Sequence, residues 1–284
     1  MNKTNEQLIA DFKKANKERR LKIAEKAGYS NTEDYLLSLA SPVKTKKAKK
    51  AKEIVDYVVA FDTTGSMAGY IGNVKKHVTS LIPQMFSQGI DLKMKIVAFG
   101  DYCDMRSERE FGKAYQQSEF TDSENKLIKF VTNAENTSGG DGDEFYELVI
   151  KKITEETPWR KNSRRAVLFI ADCDPHSVNY VWFNKKRGID WRQEAGKASK
   201  LGISFDTLSI HGTQYPWYQE LSKITGGVYM PFSSQEKMTE VFTASLYVRG
   251  SEMSKASFTS SYSKAEASGD TELIGTYKSL STLL

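Results

Sequence analysis

Three short segments of this chain carry oxygen-bearing side chains at places where a strand should end. The first is Asp62-Thr-Thr-Gly-Ser66, which closes the apolar run Ile54 to Phe61. Side chains at alternate positions of a curling loop can face inward together, so Asp62 offers a carboxylate while Thr64 and Ser66 offer hydroxyls. Gly65 permits the tight curl. The second segment is Gly139-Gly-Asp-Gly-Asp-Glu144, with Asp141 and Glu144, and the third is Val167-Leu-Phe-Ile-Ala-Asp172, which ends on a carboxylate. Carboxylates and hydroxyls without His or Cys select hard divalent cations, Mg²⁺ ahead of Mn²⁺ or Ca²⁺. Like charges gathered at one place repel unless a cation sits among them. Such a site, with few charged ligands, stays electrophilic and can take one more carboxylate from outside.

To bring these segments together the chain needs a sheet whose strands end on one side. Strands and helices alternate between residues 53 and 249, the pattern of a doubly wound, mostly parallel sheet flanked by helices. Ile54 to Phe61, Leu92 to Phe99, Arg165 to Ala171, Ile203 to Ile210 and Gly227 to Met230 read as strands. Between the first two, Val74, Val78, Leu81, Ile82 and Met85 fall on one helical face. Further helices are expected from Thr121, after Asp143, over Trp191 to Leu201, over Trp217 to Ile224 and over Gln235 to Val248. The stretch from 101 to 120 reads as a polar excursion. In such a sheet the loops beyond the carboxyl ends of the strands form the ligand crevice.

Outside that domain, residues 1 to 43 read as a helical hairpin arm, with one helix over 5 to 27 closed by Gly28 and a second begun by the capping-box spacing of Ser30 and Glu33. Residues 44 to 52 form a Lys-rich linker. Residues 250 to 284 read as a Ser/Thr-rich, mobile tail ending in a short amphipathic helix with Leu273, Ile274, Tyr277, Leu280 and Leu284. That stripe is expected to pack back on its own domain, or else on a second protein.

The chain has 284 residues and a formal charge of +5. Residues 1 to 53 hold fourteen Lys/Arg against seven Asp/Glu, so the basicity belongs to the arm and the rest is slightly acidic. Nucleic acid is therefore a candidate partner only through phosphate contacts by 44 to 52, where no aromatic is present to stack on a base. Two cysteines, Cys103 and Cys173, read as free thiols in a reducing compartment. The start of the chain is polar, and its apolar runs are shorter than the ~20 residues of a membrane helix. The expectation is a cytoplasmic protein with no membrane partner.

At the Asp62 loop the chain resembles the von Willebrand factor A domain family, whose metal-ion-dependent adhesion site is Asp-x-Ser-x-Ser, here with Thr64 in the first hydroxyl place. The resemblance runs from about residue 52 to 249: Leu221-Ser-Lys-Ile-Thr-Gly-Gly-Val-Tyr229 is similar to the segment leading into that family's last strand. It implies Asp172 as the aspartate that usually binds the metal through water. For the middle ligand the chain is similar to a Gly-Gly-Asp-x-x-Glu subtype, which implies Asp141 first and Glu144 second, with Thr137 as a further alternative. It also implies a non-enzymatic module, an adaptor or scaffold in an intracellular complex, that binds a partner's Asp or Glu through the cation.

A second resemblance leads elsewhere. Asp62-Thr-Thr-Gly-Ser66 is also similar to the Asp-Lys-Thr-Gly-Thr loop of haloacid-dehalogenase-like phosphotransferases, which implies Asp62 as a nucleophile with Mg²⁺ beside it. Thr63 at the second position and Ala171-Asp-Cys-Asp174 in place of Gly-Asp-Gly-x-x-Asp depart from that pattern. A third reading is a nucleic-acid-binding structural protein acting through the arm.

Loop aromatics near the crevice, Tyr102, Tyr180, Trp182 and Phe183, together with His176, are expected to form a partner-binding rim. Cys103, Cys173 and His176 fall short of the four ligands of a structural zinc site and match no zinc spacing.

Overall fold

The apolar run that opens the second unit is the centre of the sheet. The computed structural model describes residues 5–15, 17–28, 30–33, 35–36, 52–87, 89–210, 214–231, 237–249 and 252–284. These fall into two compact units, Met1–Ala51 and Lys52–Leu284.

In the first unit, α1 (Asn5–Lys14) and α2 (Lys17–Lys26) replace the single helix expected over 5 to 27. Phe12 is buried against Tyr35, with ring centroids 5.2 Å apart, and Ala24 joins the same small cluster. Arg20 Nε donates to the Phe12 carbonyl at 3.0 Å, closing the end of α1. Gly28 has φ +87°, the left-handed geometry expected of it. Leu37, Leu39 and the Lys-rich linker to residue 51 lie outside the described residues.

The second unit is built on β1 (Ile54–Asp62), β2 (Asp91–Phe99), β3 (Tyr115–Gln117), β5 (Arg164–Ala171), β9 (Ile203–Ser209) and β10 (Tyr229–Pro231). They form one sheet in the order β10-β9-β5-β1-β2-β3. All neighbours are parallel except the antiparallel edge strand β3. β1 lies between β2 and β5, and the chain winds first to the β2 side and then to the β5 side. The crevice between the carboxyl ends of β1 and β5 is therefore the topological switch point, the usual ligand position in this class of sheet. The remaining paired segments are short: β4 (Asp143–Glu144) pairs with β6 (Asp174–Pro175), and β7 (Val181–Trp182) with β8 (Lys185–Lys186).

Strands this apolar need cover on both faces. One face carries α3 (Ala68–Phe86) and α4 (Glu124–Asn133), with Val74, Val78, Leu81, Leu127 and Val131 buried against Val59, Phe61, Ile96 and Leu168. The other carries α5 (Tyr146–Glu156), α6 (Trp191–Lys200) and α7 (Trp217–Thr225), with Tyr146, Val149, Ala195, Trp217 and Leu221 over Val58, Phe99, Phe169 and Phe205.

The last helix of the expected domain, α8 (Met238–Arg249), is not its end. α9 (Glu252–Ser268) and α10 (Thr271–Ser281) follow and pack on it. Phe258, Ala265, Leu273, Tyr277 and Leu280 are buried in the same core as α3 and β1, and Tyr262 stacks on Tyr277 with centroids 5.6 Å apart. The expectation of a mobile tail from 250 is thus corrected. Phe258, Tyr262 and Ala265 recur at helical spacing on one face, and a Ser-rich surface on the opposite side gave that helix a loop-like composition. The stripe of Leu273, Tyr277 and Leu280 packs back on its own unit.

Candidate functional site

β1 delivers Asp62 to the switch point because its residues, from Val55 onward, are buried, so its first polar ligand appears only where the sheet stops. The Asp62 loop is fixed to its neighbours by backbone bonds. Thr63 N and Thr63 Oγ1 both donate to the Phe99 carbonyl at 2.8 Å, Thr137 N donates to the Thr63 carbonyl at 2.9 Å, and Gly65 N donates to the Ser138 carbonyl at 3.1 Å. A Cβ on Gly65 would lie 2.9 Å from that same carbonyl oxygen, so glycine is required for the loops to meet. The turn that holds residues 138 and 139 comes from the end of β2: Asp104 accepts from Ser138 N at 2.9 Å and from Gly139 N at 3.1 Å.

Within this frame Asp62 is fully buried; one carboxylate oxygen accepts from Thr64 N at 2.6 Å and the other from the Tyr146 hydroxyl. Thr64 Oγ1 and Ser66 Oγ are 3.2 Å apart. Two ligands at right angles on an ion with ~2.1 Å bonds are about 3.0 Å apart, so this pair suits adjacent positions on a Mg²⁺-sized cation. Ser66 is exposed and opens the site to solvent. Asp172 is buried just past β5 and accepts from the Cys173 thiol at 3.3 Å, while Cys173 Sγ lies 3.8 Å from Ser66 Oγ.

Of the alternatives for the middle segment, Glu144 turns toward this set. It is 3% exposed, and a Cβ added to Gly139 would lie 2.7 Å from its Oε1 and 3.4 Å from Thr64 Cβ, so Glu144 and Thr64 border the same glycine. Its Oε2 is buried without a hydrogen-bond partner. Burial, then the charges of Asp62, Asp101, Asp104 and Asp172, push the Glu144 carboxyl up to about 10. Burial and Asp172 push Asp62 up to about 7. In both groups burial is the larger cause, and the neighbouring carboxylates add to it.

Asp141 and Thr137 go elsewhere. Thr137 Oγ1 hydrogen-bonds Thr63 Oγ1 at 3.0 Å, behind the loop. Asp141 is exposed and accepts from the Tyr180 hydroxyl at 3.3 Å. It belongs to a second cluster, in which ligand atoms of Asp101, Asp141 and His176 all lie within 4.8 Å of one another. Among the described residues this is the group of three His, Cys, Asp or Glu side chains drawn that tightly together. The oxygen-only set at Asp62 is more open.

In the second cluster His176 Nε2 lies 2.7 Å from Asp101 Oδ1, both residues being buried. Burial works against a charged imidazole here, but the bond to Asp101 prevails and holds His176 above its ordinary range. The Tyr180 ring stacks on His176 with centroids 3.6 Å apart, and Tyr102, fully buried, lies against both. Of the residues expected in the rim, Tyr102 and His176 are buried and form an inner wall. Trp182 and Tyr180 are half-buried. The exposed apolar groups nearby are Val178, Val181 and Phe183, the last at the tip of the β7–β8 hairpin, where Phe183 and Asn184 both have positive φ.

Asp101, Asp104, Glu147 and Tyr146 were absent from the sequence-based set. Asp101 had a signal: it lies two residues beyond the carboxyl end of β2, beside the end of β1 where Asp62 stands. Tyr146 and Glu147 sit in a helix, where sequence spacing gives no hint that they point toward loops far along the chain.

No protein-family model matches the chain. Among curated proteins it is similar to the alpha-protein kinase vwkA of Dictyostelium discoideum, at 30% identity over 140 residues that make up 48% of this chain and 21% of that protein. It is also similar to the putative ariadne-like RING finger protein R811 of Acanthamoeba polyphaga mimivirus, at 22% identity over 201 residues, 66% of this chain and 19% of that protein. The chain spans about a fifth of the length of these curated relatives. Among solved structures, the pilus adhesin SpaC of Lactobacillus rhamnosus GG in its open conformation superposes with a TM-score of 0.54 at 11% identity, covering 71% of this chain and 30% of that one. A second form of SpaC gives 0.53 at 12% identity, covering 71% and 31%. The likeness to these solved structures is of fold alone, an α/β unit with a mostly parallel sheet flanked by helices. No helix among the described residues is long and apolar enough to cross a membrane.

Proposed function

We propose that the second unit is a metal-dependent protein-interaction module. Mg²⁺, or Mn²⁺ or Ca²⁺ in its place, is held by Asp62, Thr64 and Ser66 with Glu144 and Asp172 closing the set, and a partner supplies an Asp or Glu as the last ligand. The observation that carries this reading is the Glu144 carboxylate, buried with one oxygen unpaired beside the equally buried Asp62 and Asp172. Leaving such groups uncompensated costs several kcal/mol, and a cation removes that cost. The donor set is all oxygen, as hard cations prefer. The exposed Phe183 hairpin gives a partner an apolar anchor to meet.

The two curated relatives, one named as a kinase and one as a RING finger protein, are about five times longer than the matched region. In this proposal the chain supplies recognition, and any catalysis in its assembly belongs to a partner. Asp62 as a phosphoryl-accepting nucleophile is disfavoured, because it is fully buried and both its oxygens accept hydrogen bonds.

The test is calorimetric titration of Mg²⁺ and Mn²⁺ into chelator-treated protein and into Asp62→Ala, followed by water-proton relaxation of the Mn²⁺ complex. Binding by wild type alone, with relaxation enhancement that falls as acetate is added, fits an open position that accepts a carboxylate. Equal binding by both proteins, or enhancement indifferent to acetate, overturns the reading.

A further inference from the structure

The cluster of Asp101, Asp141 and His176 contains more than a buried ion pair needs. A histidine pinned to one aspartate is a complete structural device, and Asp101 with His176 already makes one at 2.7 Å. Around that pair stand two further carboxylates. Asp141 brings an oxygen within 4.8 Å of both. Glu147 is 1% exposed, its Oε1 accepts from the Tyr102 hydroxyl at 2.7 Å, and its Oε2 is buried with no hydrogen-bond partner. Glu147 is close enough for its charge to act on His176, and Asp101 acts on Glu147 in turn. One imidazole does not balance these groups. The Arg187 guanidinium lies over the Tyr102 ring at 4.9 Å from its centroid.

We propose that Asp101, Asp141 and His176 form a second cation site, separate from the Asp62 set, that takes a divalent ion of the Co²⁺ or Zn²⁺ class. The nitrogen donor sets the choice: imidazole with carboxylates suits borderline transition metals, whereas the all-oxygen set at Asp62 suits Mg²⁺. The geometry is already near that of a complex. Adjacent ligands on an ion with ~2.1 Å bonds lie about 3.0 to 3.4 Å apart, so an ion entering here displaces the proton that His176 Nε2 and Asp101 Oδ1 share and widens their 2.7 Å contact. The imidazole is held by its stack on Tyr180 and by its backbone N, which donates to the Glu144 carbonyl at 3.1 Å. Asp101 is held by the turn it caps, its side chain accepting from Cys103 N. Asp141, the exposed member, supplies the entrance, and a water on the ion would satisfy the orphaned oxygen of Glu147. This proposal stands apart from the reading of the Asp62 site.

The experiment is a Co²⁺ titration of the chelator-treated full chain in excess Mg²⁺, followed by visible absorption and repeated for Asp141→Asn, His176→Gln and Asp62→Ala. Wild type is expected to bind one Co²⁺ with ligand-field bands. Asp141→Asn, at an exposed position that leaves the core untouched, should weaken binding by about tenfold or more, in the range known for altered metal surroundings. His176→Gln should change the bands, and Asp62→Ala should leave them in place. Circular dichroism checks that each variant is folded. The proposal is overturned if Co²⁺ fails to bind, if Asp141→Asn binds as wild type does, or if Asp62→Ala abolishes the bands. It is equally overturned if an intense thiolate charge-transfer band places the ion on Cys103 or Cys173. Retained Co²⁺ bands with no Mg²⁺ binding at Asp62 would sink the interaction-module reading and leave this site standing.

Discussion

Strand β1 carries a buried aspartate near each of its ends. At the entry end Asp56 receives Arg160 Nε at 2.6 Å, Arg160 N at 2.6 Å and Ser163 Oγ at 2.8 Å, while Arg160 reaches on to Asp91 at 2.7 Å. Asp206 in β9 is served in the same way, by Arg249 at 2.6 and 3.1 Å and by Val228 N at 2.9 Å. At the exit end Asp62 has a backbone N–H and a tyrosine hydroxyl, and its charged neighbours are Asp172 and Glu144. The same residue type at the same depth thus serves two ends. Guanidinium pairing fastens strands and helices together; its lack at the switch point leaves negative charge for something that arrives from outside.

The comparison breaks first at its paired end. Arg249→Ala leaves Asp206 buried without its partner and is expected to lower the unfolding free energy by about 3 to 5 kcal/mol in urea denaturation. In EDTA, Asp62→Ala should cost far less than that, since it removes a buried carboxyl that no cationic side chain pairs and gives up only its bonds from Thr64 N and the Tyr146 hydroxyl. An equal loss for the two variants would erase the distinction between the ends.

Metal addition sharpens the contrast. Mg²⁺ at a hundred times its dissociation constant should stabilise wild type by about 2.7 kcal/mol, seen as a rise in melting temperature, and should do nothing for Asp62→Ala.

The pH response has a definite sign. Asp62 is raised from 3.8 to about 7 and Glu144 from 4.5 to about 10, so the folded protein binds more protons than the unfolded chain between those limits. Stability of the metal-free protein is therefore greatest at the acid side of this window and falls as pH rises, from about 4 through 7 for Asp62 and onward for Glu144. Glu144→Gln should flatten the alkaline part of the slope in chelator-treated melts.

The smallest effect is expected at Thr64→Ala, where a water replaces one neutral oxygen. Mg²⁺ affinity should drop by about tenfold, or 1.4 kcal/mol, in calorimetry.

Four of the five expected strands were legible because apolar runs of strand length end at Asp62, Phe99, Ala171 and Ser209, and the first and third of these lead into Asp62 and Asp172. Which residue of the Gly-Gly-Asp loop turns inward was not legible. Asp141 and Glu144 are three residues apart in a segment shaped by Asp104, itself remote in sequence, so only the folded loop decides between them. The cluster around His176 was hidden for a related reason: its members come from the ends of β2 and β6 and from the loop before β4, and no spacing links them. α9 was missed because small and hydroxylated residues dominate its composition, although Phe258 and Ala265 carry its packing.

The position of β1 has a mechanical consequence. It is paired with β2 over nine residues, from Ile54 to Asp62, and with β5 over seven, from Val55 to Phe61, both in parallel register. A partner that pulls on the Asp62 loop loads this strand along its length, so both ladders resist in shear and their hydrogen bonds must yield together. Pulling on an edge such as the three-residue β3 would instead peel its bonds one after another. Under the proposed function, a grip at the end of the central strand would therefore load both ladders at once.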